Sequence, residues 1–441
     1  MASVLLLGAG LVTRPLVRYL LDQPGLKLTI ASRTVSKAEA LLEGHPQGRA
    51  MALLVDDDPA LSHLISRHDL TISLLPYTYH VRVAKHCIEH GKHMVTTSYI
   101  SPAMKELDRP AREAGITILN EIGVDPGIDH MSAMRVIHDV AARGGRVVSF
   151  SSYCGGLPAP EANTNPWGYK FSWSPRGVLL AGRNDGRFLK DGAIVDIPGR
   201  ELFAHFETVP VPGAGDFEGY TNRDCLGYVG LYGLAGIPSM FRGTLRYPGW
   251  CKTMKAVVDL GYLDDSPRGD LRGRSFRQLA GMLVPSAAGA GDTAQAVADH
   301  LGIGRDANPI QRMEWLGLFS DEPLPDAPSI LDVMVARMLE KLSYRPGERD
   351  MLVLHHQFGA EFPGRREHIT STMVDFGIPG GDSSMARTVS LPAAIGTRLI
   401  LENRIDLTGV LAPVVPEIYE PVLSELESMN IVCKEARRRL A

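Results

Sequence analysis

Two short segments of this chain carry residue types that suit a nucleotide phosphate. An apolar run from Val4 to Leu7 enters Gly8-Ala9-Gly10, and the next apolar run, Leu28 to Ala31, ends in Ser32-Arg33-Thr34 rather than in an acid. Glycine at position 10 lets the backbone come within contact distance of a pyrophosphate held at the N-terminus of the following helix. Thr13 stands where a third glycine would serve helix-strand packing, and a lone G-x-G fragment also suits an ordinary tight turn. The second segment decides between these readings. An NAD site places Asp or Glu at the end of the second strand to bind ribose hydroxyls, whereas a 2′-phosphate needs a hydroxyl donor and an arginine. Ser32 and Arg33 therefore predict NADP(H).

Further along, Gly123-Val124-Asp125-Pro126-Gly127 opens a helical pattern, Ile128, Met131, Met134, Ile137. Asp125 suits either a helix cap or a proton-relay group facing a nicotinamide, and both roles stay open. Cys154, in Tyr153-Cys154-Gly155-Gly156, has glycines beside it that would open space for a ligand, although a buried structural thiol is the commoner case. Arg223 and Arg246 lie in Gly-, Pro- and Asn-rich surroundings. Facing a cleft, each could hold a substrate carboxylate through two parallel hydrogen bonds. His86, Cys87, His90 and His93 fall close enough together to suggest a metal, but no carboxylate completes the set, and no metal is expected. His355 and His356, adjacent on a strand, point to opposite faces. No G-x-S-x-G elbow or phosphate-binding loop of the NTPase type occurs, which leaves a redox enzyme.

The elements that must position these residues follow from the hydrophobic pattern. Up to about residue 120, the apolar runs Val4–Leu7, Leu28–Ala31, Ala50–Leu54, Leu70–Leu74, His93–Thr96 and Ile116–Leu119 alternate with helical patterns. Six strands with such crossovers describe a Rossmann-type, doubly wound parallel α/β sheet with the cofactor at the carboxyl ends of the strands. We expect residues 1–127 to form this domain, with helices from about 390–441 packing back on it. Residues 128–225 and 346–390 read as a mixed α+β, sheet-based domain for substrate and dimerisation. It includes a hairpin around Glu361 to Arg366, and 226–345 reads as a helical insertion.

Composition bounds the rest. The chain has 441 residues, 44% hydrophobic and 22% charged, with a formal charge of −4, so neither disorder nor a nucleic-acid footprint is indicated. The one basic run, Arg437-Arg438-Arg439, reads as a solvated helix end. Five cysteines, an odd number without a C-x-x-C spacing, fit a reducing compartment, and the cytoplasm is expected. The N-terminal apolar stretch is broken by Gly8, Gly10, Arg14 and Pro15 and follows no basic segment. No signal peptide or membrane span is therefore expected.

Several longer runs point to a family. Leu75-Pro76-Tyr77-Thr78-Tyr79-His80, Thr97-Ser98-Tyr99-Ile100-Ser101-Pro102 and Asn120 through His130 closely resemble the saccharopine reductases, the NADP-dependent, L-glutamate-forming saccharopine dehydrogenases. So do Ser152 through Glu161, Gly168 through Ser174, Arg242 through Tyr247, Trp315 through Ser320 and Leu411-Ala412-Pro413, whereas 264–310 shows little resemblance. The resemblance implies interconversion of saccharopine with glutamate and aminoadipate semialdehyde in lysine metabolism. It implies NADP(H) contacts from Gly8, Ala9, Gly10, Leu11, Val12, Ser32, Arg33, Thr34, Leu54, Val55, Leu75, Thr97, Ser98, Val124, Asp125, Pro126, Gly127 and Ser174. It implies saccharopine contacts from Ser98, Tyr99, Asp125, Arg223, Thr244, Leu245 and Arg246. Saccharopine carries three carboxylates, which gives Arg223 and Arg246 a purpose. The proton transfers of imine chemistry fall to Asp125, Cys154 and Tyr99, in that order. A homodimer is expected. The rival readings are an imine reductase of polyamine type, which needs fewer carboxylate clamps, and an NADPH-binding sensor without turnover.

Overall fold

The computed structural model describes residues 2–440, and the chain forms two compact units. The first comprises residues 1–146 and 381–435, the second 147–380 and 436–441. In the first unit the strands are β1 (Ala2–Leu7), β2 (Leu26–Ser32), β3 (Gly48–Ala52), β4 (Leu70–Ser73), β5 (His93–Thr96) and β6 (Thr117–Leu119), close to the expected runs. They are joined by helices α1 (Arg14–Leu21), α2 (Val35–Leu42), α3 (Asp58–Ser66), α4 (His80–His90), α5 (Pro102–Lys105) and α6 (Asp108–Glu113). All pairs are parallel, in the order β6-β5-β4-β1-β2-β3, with a late strand Gly409–Leu411 added beside β6. Sequential β-α-β crossovers bury both faces of such a sheet, which is why Val4 to Leu7 are all apolar and fully buried. The strand order reverses between β1 and β4, and ligands of open α/β sheets bind at the carboxyl ends beside such a point.

Helix α7 (Ile128–Ala142) also belongs to this first unit, rather than to the substrate domain expected to begin at 128. It packs against the C-terminal helix Pro416–Ser428, where Arg135 pairs with Glu427 at 2.6 Å and His138 Nδ1 meets the Tyr419 hydroxyl at 2.8 Å. The helix Ser384–Leu401 lies against α1, β4 and β5.

The second unit is built on β7 (Arg146–Pro158), β8 (Gly186–Lys190), β9 (Ala193–Ile197), β10 (Phe206–Val211), β11 (Gly215–Thr221), β12 (Ser239–Arg246), β13 (Asp350–Phe362) and β14 (Arg365–Phe376). Its main path runs β10-β11-β12-β7-β13-β14 and continues into the strand Lys434–Leu440; β8 pairs with β12 and β9. The sheet is mixed, since β12 runs parallel to β7 and antiparallel to β11. Two expectations are corrected here. β12 falls inside the stretch 226–345 read as helical, so the helical layer proper starts at Trp250, where Trp250, Met254 and Val257 enter a core with Leu279, Met313 and Leu331. The basic run at 437–439 is strand, not helix: an exposed edge strand tolerates successive charged residues and is protected by them. The hairpin β13–β14 is also longer than expected, turning at Pro363-Gly364 rather than over a six-residue loop.

Candidate active site

In the first unit the sequence-predicted cofactor residues gather at the carboxyl ends of β1 to β5 and in the loop after β6. Gly8 has φ +108°, and a Cβ there would stand 3.0 Å from the Leu74 carbonyl oxygen, so only glycine fits the turn between β1 and β4. Gly10 is different. A Cβ there would meet no protein atom nearer than Thr13 Oγ1 at 4.0 Å, so the space in front of it is open to a ligand. Thr13, buried, accepts from Gly10 N–H at 3.0 Å, which explains how the turn closes without a third glycine. Leu11 and Val12 N–H groups take no backbone acceptor among the described residues, and Leu11 and Leu54 are large apolar side chains 73% and 62% exposed at this edge. Tyr77, 76% exposed in the turn after β4, joins them and had no role in the sequence reading.

At the end of β2, Ser32 Oγ accepts from Thr34 N–H at 3.2 Å, leaving the hydroxyl hydrogen for an outside acceptor. Arg33 is exposed and has no ion-pair partner among the described residues. A hydroxyl and an unpaired guanidinium on one tight turn are what a 2′-phosphate requires. Val55 and Leu75 are half-buried at the ends of β3 and β4, and Thr97 and Ser98 follow β5.

The loop 123–127 corrects the capping role considered for Asp125. α7 begins at Ile128 with Gly127 as its N-cap, and Asp129 Oδ1, not Asp125, accepts from Gly127 N–H, at 2.6 Å. Gly127 has φ +147°, and a Cβ would lie 2.0 Å from Gly123 O, so the loop folds back on itself as only glycine permits. Asp125 Oδ1 accepts from the Tyr99 hydroxyl at 2.9 Å. Glu121, buried, holds the base of this loop by accepting from Ile100 N–H at 2.8 Å and pairing with His130 Nε2 at 2.7 Å.

The remaining predicted residues lie in the second unit. The β7–β12 register sets Cys154 opposite Thr244. Gly155 does not open space for a ligand as expected; a Cβ there would stand 2.7 Å from Leu245 O, so the glycine lets two strands pack closely. Leu245 is completely buried, main chain included, and is paired with Gly219 of β11. Arg246 is 5% exposed, its guanidinium 5.0 Å from the Tyr169 ring centroid and 5.5 Å from that of Trp250. Its Nη1 donates to Leu245 O at 2.7 Å, whereas its buried Nε has no acceptor and no carboxylate pairs with it among the described residues. Burial opposes its charge, but Tyr220, Tyr169, Cys251 and Cys154 outweigh this and hold its pKa above the usual value. Tyr169 and Trp250 were missed by the sequence reading; an arginine set against a packed aromatic pair is visible only once β12 is placed. Arg223 is exposed just past β11, with φ +60°, and its carbonyl accepts from Arg187 N–H at 3.0 Å. Ser174 caps the helix Pro175–Ala181 by accepting from Gly177 N–H.

On α4, the expectation that no carboxylate joins the histidines is also corrected. His86, Glu89 and His90 bring their ligand atoms within 4.8 Å of one another. His86 is engaged by Asp58 and Glu89, at 3.0 and 3.3 Å, and His90 Nε2 by Ser62 Oγ at 2.8 Å.

Residues 4–119 match the saccharopine dehydrogenase NADP binding domain family, and residues 123–432 match the saccharopine dehydrogenase C-terminal domain family. A saccharopine dehydrogenase [NADP(+), L-glutamate-forming] of Pyricularia oryzae is 42% identical, with 98% of each chain covered, and that of Saccharomyces cerevisiae is likewise 42% identical over 98% of each. The solved structure of the apo saccharopine dehydrogenase (L-Glu forming) from Saccharomyces cerevisiae superposes with a TM-score of 0.91 at 40% identity, covering all of both chains.

Proposed function

The chain belongs to the saccharopine dehydrogenase family, and on that premise we propose which residues serve the reaction. It is an NADP-dependent oxidoreductase of lysine metabolism acting on a CH–NH bond, interconverting saccharopine with L-glutamate and L-2-aminoadipate 6-semialdehyde. When bound, the nicotinamide supplies or accepts the hydride. The chain's own residues bind, orient and move protons.

The turn Gly8 to Val12 and the N-terminus of α1 hold the pyrophosphate, and Ser32, Arg33 and Thr34 hold the 2′-phosphate. The exposed side chains of Leu11 and Leu54 and the open space before Gly10 support this assignment. Val55, Leu75, Thr97, Ser98, the loop 124–127 and Ser174 complete the cofactor contacts. Arg246 anchors one substrate carboxylate, with Thr244 and the Leu245 main chain beside it, and Arg223 takes a second. The observation that carries this reading is Arg246 itself, a buried guanidinium without a carboxylate partner among the described residues, since a buried charge is retained where a ligand completes it. Asp125 and Tyr99, already hydrogen-bonded, exchange protons with the substrate nitrogen and the departing oxygen as carbinolamine and imine interconvert. Cys154 is the second acid-base candidate, after Asp125.

Saccharopine has two C–N bonds at its secondary amine, so product identity tests the assignment. Oxidation with NADP should yield glutamate and the semialdehyde in equal amounts. Release of lysine and 2-oxoglutarate, or NADPH binding without turnover, would overturn it. We further place the enzyme in the cytoplasm as a homodimer. Five buried cysteines free of disulfides support a reducing compartment, and no helix among the described residues is long and apolar enough to cross a membrane. Sedimentation should return twice the chain mass; a monomer at micromolar concentration overturns the dimer.

A further inference from the structure

His80 opens α4, directly after the turn that follows β4, and its side chain is 4% exposed. Its Nδ1 lies 2.9 Å from Ser73 Oγ, at the end of β4. Its Nε2 lies 2.8 Å from Ser98 Oγ and 3.3 Å from Thr96 Oγ1, at the end of β5. The imidazole thus bridges the two strands nearest the switch point on the side of β5. Three hydroxyls and no charged group surround it, and burial alone pushes its pKa down to about 4, so it is neutral at pH 7.

A neutral imidazole carries one donor and one acceptor nitrogen, so the two serines it touches must play opposite roles. With the hydrogen on Nε2, Ser98 Oγ accepts, and the Ser98 hydrogen remains available to a ligand. With the hydrogen on Nδ1, Ser98 spends its own hydrogen on the ring. Thr96 Oγ1 already accepts from Ser98 N–H at 3.4 Å, so an Nε2–H directed at Ser98 Oγ, the nearer of the two oxygens, supplies a hydrogen to the one that lacks it. Ser73, buried, then donates to Nδ1. Ser98 is half-buried and precedes Tyr99, whose hydroxyl donates to Asp125.

We propose that His80 is a positioning residue for the reaction, its Nε2–H fixing the Ser98 hydroxyl as a donor toward the bound ligand. His80 itself touches neither cofactor nor substrate. This rests on Ser98 being a ligand contact, as proposed above.

A double-mutant cycle separates the two claims. Ser98→Ala and His80→Ala should each lower kcat/KM for saccharopine about ten-fold, the scale of one hydrogen bond. The double variant should be no worse than Ser98→Ala alone. His80→Gln, whose amide can donate near the Nε2 position, should recover most of the loss, and its urea midpoint controls for folding. Multiplying effects in the double variant, or no recovery by a folded His80→Gln, would overturn the positioning role while leaving Ser98 as a contact. A silent Ser98→Ala would remove the Ser98 assignment itself, and the proposal with it.

Discussion

Replacing Arg246 by methionine separates a ligand anchor from a structural cation, because the two roles predict opposite results in two assays. Arg246 is 5% exposed and lies beside the mutually packed Tyr169 and Trp250 rings, with the Leu245 carbonyl as its one hydrogen-bond acceptor among the described residues and its Nε orphaned. Methionine keeps the aromatic contact through its polarizable sulfur while removing the buried charge. The loss of two cation-π contacts, roughly 0.5–2 kcal/mol each, is opposed by relief of a buried charge that lacks a carboxylate. The apo protein should therefore change in stability by no more than about 2 kcal/mol in either direction. Catalysis should fare differently. Two charge-assisted hydrogen bonds to a carboxylate are worth about 3–6 kcal/mol together, which is roughly a 10²- to 10⁴-fold loss of kcat/KM for saccharopine. Steady-state kinetics with NADP, urea unfolding of the apo protein and NADPH titration by fluorescence give the three readouts. A variant destabilised by well over 2 kcal/mol, with kcat/KM within three-fold of the parent, would refute the anchor.

Arg33→Ala removes the exposed guanidinium after β2 and should weaken NADP binding about ten-fold or more, at one charge-assisted hydrogen bond, while leaving NAD binding unchanged; equal weakening of both would refute the 2′-phosphate assignment. Asp125→Asn keeps an acceptor for the Tyr99 hydroxyl but abolishes proton exchange, so kcat should fall about 10²- to 10⁴-fold with NADPH affinity retained. Because Gly127, not Asp125, is the N-cap of α7, the same variant should unfold at the parent's urea midpoint; a large loss of stability would restore the capping role. Stability should fall on acidification. Burial holds His80 down to about 4, and burial with the nearby His368 holds His355 to about 4. The unfolded chain, with histidines near 6.5, therefore binds more protons between pH 4 and 6.5. Stability is full above that window and is lost as pH falls through it, by at most about 3 kcal/mol per histidine. Urea midpoints across pH 4.5 to 7 check this, and a flat profile contradicts it.

The first unit was legible because its inner strands β1, β4, β5 and β6 are buried on both faces and so read as apolar runs, and because the G-x-G turn and Ser32-Arg33 announce themselves locally. β12 was not legible. Its stretch Ser239–Arg246 lacks a two-residue alternation, since Met240 and Phe241 are adjacent and Arg242-Gly243-Thr244 interrupts the apolar residues, and it lies between two helices, so the surrounding helical pattern swamped it. The aromatic walls around Arg246 went unseen for the same reason, since Tyr169 and Trp250 meet it only through that strand's placement. Asp125 before Pro126 looked like a cap because Asp-Pro at a helix start is a common signal. The fold-back of Gly127 onto Gly123 delays the helix by two residues and makes Gly127 the N-cap, its N–H donating to Asp129 in the first turn. The terminal basic run misled because three successive like charges carry no period that separates a solvated helix end from an edge strand.

The most direct test is absorbance at the reduced-nicotinamide band when the purified protein receives saccharopine with NADP and, separately, with NAD. The account predicts saccharopine-dependent reduction with NADP strongly preferred. No turnover with either nucleotide, despite measurable NADPH binding, would contradict it.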